Sequence, residues 1–141
     1  MNRRVLIVED DPLTSKLTRD VLHANGFETR EIDDGSAARA IAVEMRAGLI
    51  VMDIGLPGLD GVEATRRLKA DPRTASIPVV AMTAYVMPGD EDRMRSAGCD
   101  AFLTKPLRLM DLVTVVESLA VDGQPVRSLS GNANEKQQPP A

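Results

Sequence analysis

The chain has one cysteine, Cys99, one histidine, His23, no tryptophan and three other aromatic side chains, Phe27, Tyr85 and Phe102. A lone cysteine excludes an intramolecular disulfide, and Cys99, just after Gly98, is expected to pack as a small apolar group. With so little cysteine and histidine the usual zinc ligand sets are missing, so any bound metal must be held by oxygen. His23 is expected to be a surface or boundary residue of the first helix. The scarcity of aromatics leaves no stacking platform for single strands, and a net charge of −4 with a pI near 5.0 lacks the basic footprint of a nucleic-acid binder. No run approaches the roughly 18 apolar residues of a membrane span, and Met1-Asn2-Arg3-Arg4 leads into a short strand-like run rather than a signal-peptide core. A cytoplasmic protein with no membrane insertion is expected.

What remains is enough for one ordinary domain: 141 residues, 43% hydrophobic and 27% charged. Val5-Leu6-Ile7-Val8 is a β-type apolar run, after which Asp11-Pro12 pairs an N-cap with a proline at the first helical position. Leu13, Leu17, Val21 and Leu22 follow at helical spacing until Gly26. Phe27 to Ile32 is a second strand, and Asp34-Gly35-Ser36 opens an alanine-rich helix with Ile41 and Met45 on one side. Leu49-Ile50-Val51-Met52 has the character of a strand buried on both faces, and it runs straight into Asp53. "PGLDG" is a loop, Val62 to Ala70 a helix ended by Asp71-Pro72, and Ile77 to Met82 a fourth strand with proline confined to its start. Pro88 to Ala97 is a helix closed by Gly98, its acidic opening Asp90-Glu91-Asp92 suiting a helix N-terminus. Ala101-Phe102-Leu103 is a fifth strand, and Leu109, Leu112, Val113, Val116 and Leu119 mark an amphipathic fifth helix.

Five alternating strand and helix units without hairpin signals predict a (βα)₅ α/β fold, an open, doubly wound parallel sheet over residues 1–121. Residues 122–141 are polar and aperiodic, and are expected to form a disordered tail. Ligands of such sheets bind outside the carboxyl ends of the strands. Strand one ends in Glu9-Asp10-Asp11, strand three in Asp53, strand four in Thr83, and strand five is followed by Thr104-Lys105-Pro106. Taken singly these residues have ordinary explanations: Asp11 as an N-cap, Thr83 as the start of a loop, Lys105 as a solvated charge. The topology gathers all four strand ends at one edge, which makes a shared role the stronger reading. Glu9, Asp10 and Asp53 brought together repel one another unless a cation intervenes, and carboxylates with a backbone carbonyl suit Mg²⁺ or Mn²⁺. With Lys105 as a second positive point and Thr83 as a hydroxyl donor, the set suits phosphoryl transfer to an aspartate.

"LIVEDD", "LIVMDIGLPGLDG", "AMTA" and "LTKP" occur in the order and at the spacing of the receiver domain of two-component response regulators, which the chain resembles over residues 4 to about 120. The resemblance implies a flavodoxin-like sheet in strand order 2-1-3-4-5, a phosphoacceptor at Asp53, and a metal held by Glu9, Asp10, Asp53 and the carbonyl of Gly55. It implies that Thr83 and Lys105 contact the phosphoryl oxygens, that Lys105-Pro106 is cis, and that Thr83 and Phe102 form a switch. Tyr85 would control water access to the phosphoryl group. Asp11 is assigned to capping before metal. The implied partners are a histidine kinase or histidine phosphotransfer protein, and a downstream protein on the surface of the fourth helix, fifth strand and fifth helix. The protein would be a monomer or weak homodimer, signalling rather than turning over substrate, of the stand-alone single-domain type.

A phosphorelay shuttle or phosphate sink is the alternative within the family. A turnover aspartyl-phosphate hydrolase of the haloacid dehalogenase type would need an acid two residues after the nucleophile, where this chain has Gly55. A degenerate receiver serving only as an interaction module is disfavoured by the complete set of acids, threonine and lysine. A flavodoxin-like cofactor binder would need a phosphate-cradling glycine-rich loop after strand one, where Glu9-Asp10-Asp11 stands instead.

Overall fold

In the computed structural model, which describes residues 2–55, 60–84 and 88–122, five parallel strands form one sheet in the order β2-β1-β3-β4-β5. The strands are β1 (Arg4–Val8), β2 (Glu28–Ile32), β3 (Leu49–Asp53), β4 (Val79–Thr83) and β5 (Ala101–Thr104). The helices are α1 (Pro12–Ala24), α2 (Ala38–Met45, preceded by a 3₁₀ turn over Gly35–Ala37), α3 (Gly61–Ala70), α4 (Asp90–Ala97) and α5 (Leu109–Asp122).

The side-chain alternation of the strands builds two cores. Val5, Ile7, Leu49, Val51, Val80, Met82, Ala101 and Leu103 face α1 and α5, where Leu22, Leu112, Val115, Val116 and Leu119 complete the layer. Leu6, Val8, Ile50, Met52, Val79, Ala81 and Phe102 face α2, α3 and α4, meeting Ala38, Ala42, Val62, Leu68, Met94 and Ala97. The central strands are buried on both sides, and each large aliphatic side chain so placed contributes roughly 1.5–3 kcal/mol. β2 is the polar exception, ETREI, as befits an edge strand that must not recruit another chain.

Several boundaries and faces differ from the sequence expectation. α1 buries Thr18 and Leu22, while Leu13 and Leu17 are 63% and 44% exposed. Thr18 tolerates burial because its hydroxyl donates to Thr14 O at 2.8 Å. In α5 Val115 is fully buried, while Leu109 is exposed. β4 starts at Val79 rather than Ile77: Pro78 offers only its carbonyl, which accepts from Ile50 N–H at 2.9 Å, and the Val79 N–H is taken by Asp100 Oδ2 at 2.8 Å. α4 starts at Asp90 because Gly89, the residue before it, has φ of 91°, a left-handed value that favours glycine. α5 runs through Asp122, one residue past the expected end of the domain, and residues 123–141 lie outside the described residues.

At the edge where the strands begin, Lys69 Nζ donates to Ala75 O (3.2 Å), Ile77 O (2.7 Å) and Asp100 Oδ2 (3.2 Å). Asp100 in turn holds Val79 N–H, so the end of α3 and the starts of β4 and β5 share one polar knot. The other edge, where the strands end, carries the chemistry.

Candidate functional site

Each strand delivers its terminal residue to that edge. Glu9 follows β1 and is buried; Asp10 is exposed; Asp53, the last residue of β3, is 4% exposed; Thr83, the last of β4, is buried. Lys105 follows β5, tied to β4 by its N–H to Thr83 O at 2.7 Å, and the Lys105-Pro106 bond is cis. One carboxylate oxygen each from Glu9, Asp10 and Asp53 lies within 4.8 Å of the others. Lys105 Nζ sits 3.1 Å from Glu9 Oε1 and 3.4 Å from Asp53 Oδ2. The sequence brings Lys105 to the edge that holds the acids, but that it pairs with Glu9 as well as Asp53 is a detail of the three-dimensional packing.

Asp53 Oδ1 accepts the Gly55 N–H at 3.0 Å, and Glu9 Oε2 accepts the Asp11 N–H at 3.0 Å. Asp11 itself turns to α1, where its carboxylate accepts from the Thr14 N–H and hydroxyl and caps the helix; those bonds lower its pKa. Gly55 is exposed beside Asp53, whereas Tyr85 and Pro57 lie outside the described residues. Phe102 lies in β5, as expected; its ring is 5% exposed and belongs to the α2–α3–α4 core.

Gly61, which the sequence places in the loop "PGLDG", is the first residue of α3. A Cβ there would lie 2.3 Å from Asp53 O and 2.7 Å from Ile54 Cα, so the helix start rests directly on the backbone of the aspartate. A glycine at the first helical position, right after the capping Asp60, was the available signal.

The electrostatics are unbalanced. Three carboxylates share one ammonium, and burial, opposed by the Asp11 N–H and reinforced by Asp53, pushes the Glu9 carboxyl up to about 7. Lys105 loses hydration, but Glu9 and Asp53 more than offset this and its pKa is raised. Glu9 Oε1 is fully buried and, although it faces Lys105, makes no hydrogen bond. An orphaned buried oxygen among three clustered acids fits a hard divalent cation, for which the exposed Asp10 leaves an approach.

An open parallel sheet with acids, a threonine and a lysine at its carboxyl edge is the form of a signalling receiver, and the chain belongs to the response regulator receiver domain family, whose model matches residues 5–117. Among the described residues no helix is long and apolar enough to cross a membrane. The chain is similar to the polar-differentiation response regulator DivK of Brucella anthropi, with 43% identity over 122 residues, 86% of this chain and 99% of that protein. DivK of Brucella ovis is 42% identical over the same lengths, 86% and 99%. The receiver domain of a sensor histidine kinase from Pseudomonas aeruginosa, solved with a magnesium ion coordinated in its active site cleft, matches with a TM-score of 0.79 at 30% identity, covering 86% of this chain and 100% of that one. The receiver domain of a signal transduction histidine kinase from Syntrophus aciditrophicus gives 0.78 at 28% identity, covering 98% and 96%. The chain is thus the receiver domain of a DivK-like two-component response regulator.

Proposed function

We propose that the protein is a cytoplasmic, single-domain response regulator that takes a phosphoryl group onto Asp53 from a phosphohistidine of a histidine kinase or phosphotransfer protein, and signals by phosphorylation-dependent binding. The observation that carries this reading is the meeting of Glu9, Asp10, Asp53 and Lys105 at one sheet edge. An Asp53 carboxylate oxygen attacks phosphorus in line, the N–P bond to the donor imidazole breaks, and the released nitrogen takes a proton from water. Lys105, already 3.4 Å from Asp53, offsets charge on the transferring oxygens, and the Thr83 hydroxyl donates to one of them. Glu9, Asp10, Asp53 and the Gly55 carbonyl would hold Mg²⁺, or Mn²⁺, which when bound screens the approach of the dianionic group. Water later attacks phosphorus and the acyl phosphate returns to carboxylate and inorganic phosphate. Tyr85 is proposed to slow that step by limiting water access.

Two new charge-assisted contacts, from Thr83 and Lys105, supply roughly 1.5–3 kcal/mol each, against about 5.5 kcal/mol for a shift from 1:99 to 99:1. The mark can therefore drive a two-state switch through Thr83 and Phe102 if most of that gain is differential. The output surface is α4, β5 and α5, where Leu109 and Met110 are exposed. On α1, which packs against α5, Leu13 and Leu17 are exposed, and they are proposed to meet the donor. The receiver unit, which runs through α5, one residue past the expected 1–121, is proposed to act as a monomer or weak homodimer.

The test is incubation with Mg²⁺ and acetyl phosphate followed by intact-mass measurement. One added phosphoryl group is expected on the native chain and none on Asp53→Asn. An adduct that persists in that variant, or a native chain that never gains one, defeats the reading.

A further inference from the structure

α1 hands over to β2 through Asn25-Gly26, the single Asn-Gly pair of the sequence, and both residues are exposed. In such a pair the glycine nitrogen can attack the asparagine side-chain amide, because no Cβ on the glycine hinders the approach. The Gly26 amide gives up its proton to solvent, its nitrogen bonds to Asn25 Cγ, and the side-chain nitrogen leaves as ammonia with a proton from water. Water then opens either C–N bond of the succinimide, giving aspartate or, with the main chain rerouted through the side chain, isoaspartate. Water is the only co-reactant.

The folded turn opposes each of these movements. Asn25 has ψ of 17°, which nearly eclipses the Gly26 nitrogen with the Asn25 nitrogen and holds it away from the side chain. Gly26 N–H donates to His23 O at 3.1 Å, and Asn25 Nδ2 donates to Val21 O at 2.8 Å. Ring closure breaks both bonds and turns the peptide plane between Asn25 and Gly26. Asn25 O lies in that plane, and Arg3 Nη2 donates to it at 2.6 Å while Arg3 Nε donates to Gly26 O at 3.1 Å. Arg3 is itself braced, its guanidinium 3.9 Å over the Phe27 ring and 3.2 Å from Glu117 Oε2 on α5. We propose that Asn25 is a site of spontaneous deamidation and that Arg3 sets its rate by clamping the Asn25-Gly26 peptide. Reaction proceeds only from the opened turn, at the open fraction times the rate of the unconstrained pair. The product takes the donor from Val21 O, and its isoaspartate form lengthens the connection between α1 and β2. This turn stands where the strands begin, at the edge opposite Asp53, so the inference is independent of phosphoacceptance.

The test incubates the full chain under warm, mildly alkaline conditions and follows deamidation by peptide mapping and an isoaspartate assay; the same chain in urea supplies the unconstrained rate. The native chain should react at Asn25 and more slowly than the unfolded one. Arg3→Ala should raise the folded-state rate about tenfold, the order expected for losing one charge-assisted hydrogen bond. Arg3→Met, which keeps an apolar cover over Phe27 without donors, should do the same, and Asn25→Gln should remove the product. Hydrogen exchange at the Gly26 amide should quicken in step with the Arg3 substitutions while that of Val51 in the central strand does not, which separates opening of the turn from unfolding of the domain. A rate no faster in Arg3→Ala, a slow rate restored by Arg3→Met, a native chain as fast as the unfolded one, or exchange at Val51 rising as much as at Gly26 would overturn the inference.

Discussion

Replacing Glu9 by glutamine in the metal-free protein should change how stability depends on pH. The Glu9 carboxyl is pushed from 4.5 to about 7, chiefly by burial. A raised folded-state pKa means that the native state binds the proton more tightly than the unfolded chain. The stabilisation is complete below pH 4.5 and is lost as pH rises through 7. A displacement of this size corresponds to about 3 kcal/mol between those limits, or on the order of 10 °C in Tm for a domain of this size. Urea unfolding with chelator at pH 5, 6, 7 and 8 should therefore show Glu9→Gln gaining on the native chain by about 3 kcal/mol across the range. Divalent metal should reverse the native trend, because it requires the ionised carboxylate; its apparent affinity should fall up to about tenfold per pH unit below 7. Parallel stability profiles for the two proteins in chelator would refute the reasoning.

Three further outcomes follow from individual contacts. Gly61→Ala drives a methyl carbon to 2.3 Å from Asp53 O, so the aspartate must shift by about 1 Å; a stability loss of roughly 1–3 kcal/mol and about 100-fold slower phosphorylation by acetyl phosphate are expected, and a native rate would show that the helix start can yield instead. Asp11→Ala should cost about 0.5–2 kcal/mol in chemical unfolding by uncapping α1 while leaving Mg²⁺ affinity unchanged, whereas a collapse of that affinity would make Asp11 a ligand. Leu17→Ser should alter stability by no more than about 0.5 kcal/mol and leave acetyl phosphate labelling intact, yet slow transfer from a phosphorylated donor protein; equal transfer rates would remove α1 from the docking surface.

Much of this molecule is legible in its sequence because the strands are short apolar runs that each end on a polar residue. Val5 to Val8 before Glu9, and Leu49 to Met52 before Asp53, announce both the parallel sheet and the edge at which acids gather. Periodicity was less able to say which side of α1 meets the sheet. Leu13 and Leu17 make an apolar row one turn apart, but burial went to Leu22 and to Thr18, whose hydroxyl is satisfied within its own helix. The Glu9–Lys105 pair and the close approach of Gly61 to Asp53 depend on three-dimensional juxtaposition, which local pattern does not encode. The start of α4 hinged on the left-handed backbone of Gly89, a choice between neighbouring Pro88 and Asp90 that composition leaves open.

The knot around Lys69 gives the sheet a fixed end. β4 and β5 are anchored where they begin, through Asp100, Val79 and the Lys69 ammonium, and carry Thr83 and Lys105 where they finish. Val79 to Thr83 spans roughly 13 Å at strand rise, and over that length β4 is paired with β3 on one side and β5 on the other. The acids at Asp53 and the knot at Lys69 are therefore opposite ends of one hydrogen-bonded plate, and loosening the knot, as Lys69→Met would, is expected to lower stability while leaving the far edge assembled.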